Sequence, residues 1–394
     1  MPKLHLFYPA NDLALAAFNP GYTPPRAAVT LADDGAALPL WYAGDGDRVL
    51  AAVPARWYDD VVGAFGLGAD VYGHDIGGLE PAPWGWSPAV RGIYAWLGYP
   101  ECDLPTDVQL QALRQASHRR TSATLTAALC REGLPVAPPA LTVTDITVLG
   151  ALIDTGRRLI AKQPWSSSGR GIADSAAGAT SFERFAANSI VRQGAVMIEP
   201  YYPHKRDFAM LFEMGAGGEC RYVGLSLFST DSRFAYTGNL VAEESILFDT
   251  LATDLPPSFI RDLQSALCTA LSTVYGGIYS GPLGIDLMVL SPDGQPRPLD
   301  MADLSCIPQP APHPLVAVAE VNLRRTMGHV SHALGERVLA PGLTATYSVA
   351  HSADAHCPSA LSDCRVRGQR LQSGTLHLTP AYHTPGFRFS LTVS

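Results

Sequence analysis

Lys162 ends a short apolar run, Leu159-Ile160-Ala161, and a small-residue loop follows it at once in AKQPWSSSGRGI, residues 161–172. A lysine at a strand end supplies a point positive charge, and a Ser/Gly run offers backbone N–H groups that can curl around an anion. The loop is not a Walker A loop, because no G-x-x-x-x-G-K-[ST] leads into a helix here. Taken alone, it reads equally well as a polar turn. Further along, GIDLMVL sets one carboxylate, Asp286, among apolar neighbours. AEVNLRR then sets Glu320, Asn322 and Arg324 on one face of a strand, because side chains alternate with period two. Two carboxylates and an amide oxygen form a hard-oxygen set of the kind Mg²⁺ takes together with water and nucleotide phosphates. An anion-holding lysine upstream and a magnesium-type set downstream point to chemistry on a phosphate chain.

These residues need elements to bring them together. The first hundred or so residues alternate short apolar runs with Gly/Pro-rich connections, which predicts an α/β unit with a largely parallel sheet. Its strands are expected at KLHLFY, PLWYAG and ADVYG, with a short helix at WYDDVVGAFG. Apolar spacing then turns helical through VQLQALRQA and TSATLTAALCREG, the second ending at Gly133 with Pro135 beyond it. Asp145 is placed to cap ITVLGALIDTG, which stops at Gly156. Next come the strand RLIAK, the serine loop, a helix around SFERFAANSIV and the strand AVMIEPYY. RDFAMLFEM and RYVGLSLF flank a glycine turn and read as a hairpin. A long helix, SFIRDLQSALCTALSTVYGG, precedes the Asp286 strand. HPLVAVAEVNLRR is a core strand, RRTMGHVSHALGERV a helix, and the tail from about Gly342 alternates as antiparallel strands.

In this order the motifs resemble the ATP-grasp superfamily, from about His118 to His329. The resemblance rests on SHRRTSATLTAAL, GLPVAPP, AKQPWSSSGRGI, VMIEPYYPHKRDFAMLF, GPLGIDLMVL and AEVNLRR. It implies a fold in which two subdomains grip ATP. The implied boundaries are an N-terminal open α/β domain at 1–115 and an ATP-grasp domain at 116–340, divided near 205 and 206. A β-rich extension follows at 341–394. By the same resemblance Lys162 and the loop Ser166, Ser167, Ser168, Gly169 and Gly171 cover the phosphates, with Arg120, or its neighbour Arg119, as a further phosphate contact. Glu199, Pro200, Tyr201 and Tyr202 form the adenine hinge, and Asp207 holds the ribose. Asp286, Glu320 and Asn322 hold Mg²⁺ or Mn²⁺, and Arg324 steadies the transferring phosphate.

Two departures are visible. Asp286 and Glu320 lie farther apart in sequence than the short hairpin of the family; PRPLDMADLS would shorten it through Asp300, but Ala302 stands where the asparagine belongs. Asp300 and Asp303 are therefore read as part of an insertion, with contact to substrate or metal as the alternative. Gly284 occupies a position where some peptide-forming members carry arginine. The implied activity is that of an ATP-dependent carboxylate–amine ligase acting through an acylphosphate. A phosphotransferase or a non-catalytic nucleotide binder on the same fold is the alternative. The expected partners are a small carboxylic acid and an amine, and a homodimer is compatible with the reading.

Composition bounds the rest. The chain has 394 residues, 47% hydrophobic and 16% charged, enough for two or three packed units. A net charge of −8 disfavours a general nucleic-acid or membrane-surface binder. No apolar run is long enough to span a bilayer, and seven scattered cysteines without C-x-x-C suggest reduced thiols, hence a cytoplasmic protein. Other features carry less. GAFGLG (63–68) reads as a turn. His351, His356 and Cys357 form no complete ligand set, and His329 and His332 suit a helix surface at least as well as a position facing the site. His204, Lys205 and Arg206 are a basic run of the usually solvated kind, with a role beside the adenine hinge in holding a carboxylate or the phosphates as the alternative. Trp84, Trp86 and Trp96 are expected in packing contacts. Asn11 and Asp12 divide evenly between helix cap and substrate contact, Asn11-Asp12 and Thr23–Arg26 lying where an open α/β sheet takes its ligands.

Overall fold

The computed structural model describes residues 1–73, 75–153, 156–166, 171–231, 234–292, 313–353 and 359–394. At the N-terminus, Lys3–Leu6 is flanked in parallel by Arg48–Val49 and Glu80–Pro83, with Asp70–Val71 outermost. The helix Ala55–Phe65 closes on Gly66, whose φ of 64° is the left-handed stop that GAFGLG supplies. One expected strand is absent: PLWYAG forms instead a buried 3₁₀ turn, Leu38–Trp41. Pro39 explains the difference, since it has no N–H to give a sheet ladder and suits the first turn of a helix. Trp84 is buried as expected, whereas Trp96, also expected to pack, is 84% exposed. It is the last residue of its helix and points away from the sheet that this helix covers.

The second sheet is small and antiparallel, in the order Leu141–Val143, Val196–Pro200, Leu159–Lys162, Ile172–Asp174. The Asp145 carboxylate accepts from Thr147 N at 2.8 Å at the start of the Ile146–Ile153 helix. That helix and Ala179–Gln193 bury one face of the sheet, where Leu159, Ala161, Val196 and Ile198 pack with Leu149, Leu152 and Phe182. Alternation sends their neighbours Ile160, Lys162 and Glu199 to the opposite face.

The third sheet is a nine-stranded antiparallel one. Its order is Val316–Asn322, Gly281–Leu290, His204–Met214, Cys220–Thr230, Tyr236–Val241, Ala345–Ser352, Gly386–Val393, Arg370–His377, Asp363–Arg367. The expected hairpin is formed by the His204–Met214 and Cys220–Thr230 strands. The alternating C-terminal tail continues this same sheet, with Tyr347 across from Asn239. It also shares a core with the N-terminal unit, in which Trp41, Trp57, Tyr347, Leu371 and Leu391 are buried together.

Along His204–Met214, Phe208, Met210, Phe212 and Met214 face a core shared with the Pro257–Tyr275 helix. Asp207 and Ala209 face the other way. Leu267 of that helix is fully buried. Leu267→Ala is expected to cost about 2–5 kcal/mol of stability, from lost burial plus the cavity left behind. Chemical denaturation would register this as a lower midpoint, and an unchanged midpoint would contradict the packing. No helix among the described residues is long and apolar enough to cross a membrane.

Candidate functional site

The polar face of the small sheet and that of the large sheet look onto one cleft, about 1390 Å³ including the part open to solvent. Lys162 reaches into it from the small sheet. Its Nζ lies 2.7 Å from Glu199 Oε1 and donates to Ala319 O of the large sheet at 3.4 Å. Lys162 and Glu199 sit on neighbouring antiparallel strands of that sheet, and both are buried.

The carboxylates come from the edge of the large sheet. Asp286 and Glu320 are cross-strand partners, and Asn322 pairs with Gly284 two residues along, on the same face. Asn322 Nδ2 donates to Asp286 Oδ2 at 3.1 Å, while its Oδ1 accepts from Arg324 Nη2 at 2.9 Å. Glu320 Oε1 is paired with Arg119 Nη2 at 2.7 Å. Arg119 also donates through Nη1 to Ser166 Oγ at 2.8 Å and to the carbonyl of Gln163, so it ties the stem of the serine loop to the carboxylate strand. The stem itself is tight: a Cβ on Gly171 would lie 2.2 Å from that of Ser166.

Charge in the cleft is unbalanced. Lys162 neutralises Glu199, Arg119 neutralises Glu320, and His204 Nε2 stands 3.3 Å from Asp207. Asp286 has no cation within ion-pair distance among the described residues. Burial and the adjacent Glu320 charge push its carboxyl up to about 7, against the opposing pull of Arg324 and Asn322. With Glu320 already paired to Arg119, the charge left over is that of Asp286, and that is the condition a hard divalent cation relieves. No group of three or more His, Cys, Asp or Glu residues suited to a metal occurs among the described residues. The set here is two carboxylates and one amide, which fits an ion that keeps several ligands from water and phosphate.

Toward the opening, Asp207 accepts from Thr230 Oγ1 at 3.1 Å, and this carboxylate raises the pKa of His204. The Arg158 guanidinium stacks on Tyr201, 3.6 Å from the ring centroid. Ile160, Ile172, Leu287 and Met288 make this end apolar. On the far side the floor runs on to Ser226, Phe228, Tyr236 and Asn239, which carry no formal charge. There Tyr236 Oη donates to Asn239 Oδ1 at 2.5 Å, and Asn239 Nδ2 donates to Ser226 Oγ at 2.6 Å.

The cleft thus gathers Lys162, Glu199, Tyr201, Tyr202, Asp207, Asp286, Glu320, Asn322 and Arg324. Ser166 lies just behind it through Arg119. Pro200 is buried in its strand without lining the cleft. Arg120, expected at the phosphates, instead donates to Gln115 at the surface, 2.7 Å away, and Arg119 is the arginine that turns inward. Ser167, Ser168, Gly169, Asp300, Asp303, His356 and Cys357 lie outside the described residues. His329 is buried at the first turn of its helix, accepting from Thr326 N at 3.1 Å rather than facing solvent.

Asn11 and Asp12 are not caps. The amide nitrogen of Asn11 donates to Gly85 O at 2.9 Å, and Asp12 grips Arg324 Nη2 at 2.7 Å. The floor residues Ser226, Tyr236 and Asn239 are not among the residues that the sequence motifs single out. Their only signal is a polar residue on the cleft-facing positions of two strands, and this becomes visible once the hairpin register is known.

No family model and no curated protein matches this chain. Solved structures do. Biotin carboxylase from Campylobacter jejuni, in a β,γ-ATP complex, is 12% identical, covering 100% of this chain and 88% of that one, with a TM-score of 0.50. The biotin carboxylase domain of Hydrogenobacter thermophilus 2-oxoglutarate carboxylase, with MgADP, ADP and bicarbonate, is 12% identical over 100% and 86% at a TM-score of 0.51. Rhizobium etli pyruvate carboxylase is 13% identical over 100% of this chain and 36% of that one, at 0.50. At these identities the likeness shows a shared fold.

Proposed function

We propose that this chain, which has the ATP-grasp fold, is an ATP- and Mg²⁺-dependent ligase that joins a small carboxylic acid to an amine. One observation carries the reading. Lys162, the Asp286–Glu320–Asn322 oxygen set and Arg324 surround a single cleft between two sheets. Nucleotide, magnesium and bicarbonate in the biotin carboxylase domain above support the same use of the fold.

In this reading the apolar end near Tyr201 and Met288 takes the adenine, and Asp207 the ribose. Lys162 and the serine loop hold the phosphates. Asp286, Glu320 and Asn322 would hold Mg²⁺ or Mn²⁺, which when bound neutralises phosphate charge. An oxygen of the substrate carboxylate attacks the γ-phosphorus, and ADP leaves with the electrons of the broken P–O bond. The amine nitrogen then attacks the acylphosphate carbonyl and expels inorganic phosphate. The nitrogen gives up its proton, and an amide remains. Lys162 and Arg324 stabilise charge that develops on the transferring phosphoryl group. Water must be kept out, since it would hydrolyse the acylphosphate.

A library of carboxylic acids with hydroxylamine as the common nucleophile tests this directly. ATP-dependent hydroxamate formation with release of phosphate is the expected result. A stable phosphorylated acceptor, with no hydroxamate, would make the protein a phosphotransferase instead. ATP binding without turnover across the library would make it a nucleotide-binding protein.

Lys162→Ala is expected to weaken Mg·ATP binding by about 10- to 100-fold, the loss of one charge-assisted contact plus competition from the freed Glu199 carboxylate. Calorimetric titration with a non-hydrolysable ATP analogue checks it, and parental affinity would remove Lys162 from the phosphate site.

A further inference from the structure

Arg324 is held by the N-terminal unit, from far upstream in the chain. Its Nε donates to both oxygens of Asp12, at 2.9 and 2.8 Å, and its Nη2 lies 2.7 Å from Asp12 Oδ2. Nη2 also donates to Asn322 Oδ1 at 2.9 Å, and Nη1 to the Arg325 carbonyl at 3.0 Å. A guanidinium has five N–H donors. The hydrogen bonds among these contacts commit Nε, one N–H of Nη2 and one of Nη1, and the second N–H of Nη2 meets Asp12 only as an ion-pair contact.

The seat of this pair is built closely. Asp12 lies in the short helix Asn11–Ala17, directly after the Asn11 side chain that donates to the backbone of Gly85 and Trp86. Arg325 N donates to Trp84 O at 2.8 Å, which pins the Arg324 backbone to the same segment. A Cβ on Gly85 would lie 2.5 Å from Asn11 and 2.8 Å from Arg324 Cβ, so only glycine lets the two units approach this far. Burial disfavours the Arg324 charge, yet the carboxylates of Asp12, Glu320 and Asp286 together more than offset this and raise its pKa.

We propose that Asp12 is a positioning residue. It fixes the Arg324 guanidinium so that its remaining N–H groups address the transferring phosphoryl group. This rests on the ligase reading of the cleft. Its consequence is that Arg324 meets the phosphoryl group in one fixed orientation set by Asp12. Losing Asp12 therefore harms the transition state more than it harms nucleotide binding.

The test compares two probes by titration: Mg·ADP, and Mg·ADP with aluminium fluoride, which mimics the phosphoryl group in flight. Asp12→Ala should weaken the fluoride complex about tenfold or more, while Mg·ADP affinity stays within about threefold of the parent. In an Arg324→Ala background the same change should add less than about twofold, because the two residues act as one unit. Asp12→Asn keeps the shape and a hydrogen bond, so it should fall between parent and alanine variant and separate lost aim from lost folding. Equal weakening of both probes, no weakening of either, or effects that multiply with Arg324→Ala would overturn the assignment. If the parent binds no Mg·ADP, the nucleotide reading of the cleft fails and the assignment falls with it.

Discussion

Glu320→Ala and Asn322→Ala are each expected to lower Mg²⁺-dependent ATP turnover by about 100-fold or more while leaving the chain folded. Both side chains converge on Asp286, one as its cross-strand partner and one through a 3.1 Å hydrogen bond. The alanine at 320 also strips Arg119 of its 2.7 Å partner. Arg119 keeps its bonds to Ser166 and Gln163, so the arginine stays seated and the stem of the loop with it. Glu320→Gln separates the two effects. It still accepts from Arg119 but gives the cation no charge, so raising Mg²⁺ should recover part of its activity. Loss of Asn322 frees Nη2 of Arg324 as well as a donor to Asp286, so added Mg²⁺ should recover less. Phosphate release against Mg²⁺ concentration, with thermal melting as the control for folding, reads all three. Near-parental rates in both alanine variants would sink the metal assignment.

Asp286→Asn is expected to stabilise the ligand-free protein at alkaline pH. The carboxyl titrates near 7 in the folded chain against an ordinary 3.8, because burial and Glu320 oppose its charge. A raised folded-state pKa means that the stability belongs to the protonated form. It is fully present below about pH 4 and is lost as pH rises through 7. Asparagine keeps the shape and stays neutral, so it does not suffer this loss. At pH 8.5 the variant should exceed the parent by about 2 kcal/mol, a figure discounted from the full shift because the side chain is only partly shielded from water. The difference should shrink to nothing toward pH 4. Mg²⁺ should raise the melting temperature of the parent at pH 8.5 and leave the variant nearly unmoved. A variant less stable than the parent at pH 8.5, without metal, would show that Asp286 is already well compensated.

Much of this site is legible in the amino-acid order, for a local reason. Side chains on a strand alternate, so GIDLMVL and AEVNLRR already place Asp286 on one strand and Glu320, Asn322 and Arg324 on one face of another. Lys162 is legible by the same rule, two positions on from Ile160. The motif order carries the fold, which the structural likeness establishes. The departures are local as well. PLWYAG has the apolar content of a strand, but Pro39 overrides it, and Trp96 has the size of a packing residue without being buried.

Other features depend on partners remote in sequence. Arg119 and Arg120 are adjacent at a helix start, about 100° apart around the axis. Only the Ser166 hydroxyl, the Gln163 carbonyl and Glu320 decide which of them turns inward. The Glu199 carboxylate faces Lys162 because two antiparallel strands meet in one particular register. Asp12 has equal claims as a cap and as a substrate contact until folding brings Arg324 to it. Which residue types stand on which face of each strand follows from the amino-acid order, because backbone geometry sets it within a few residues. Which charges neutralise one another, and that the one at Asp286 is left over, follows only from the folded chain. Ion pairing depends on distances of a few ångströms between strands and helices far apart in the chain.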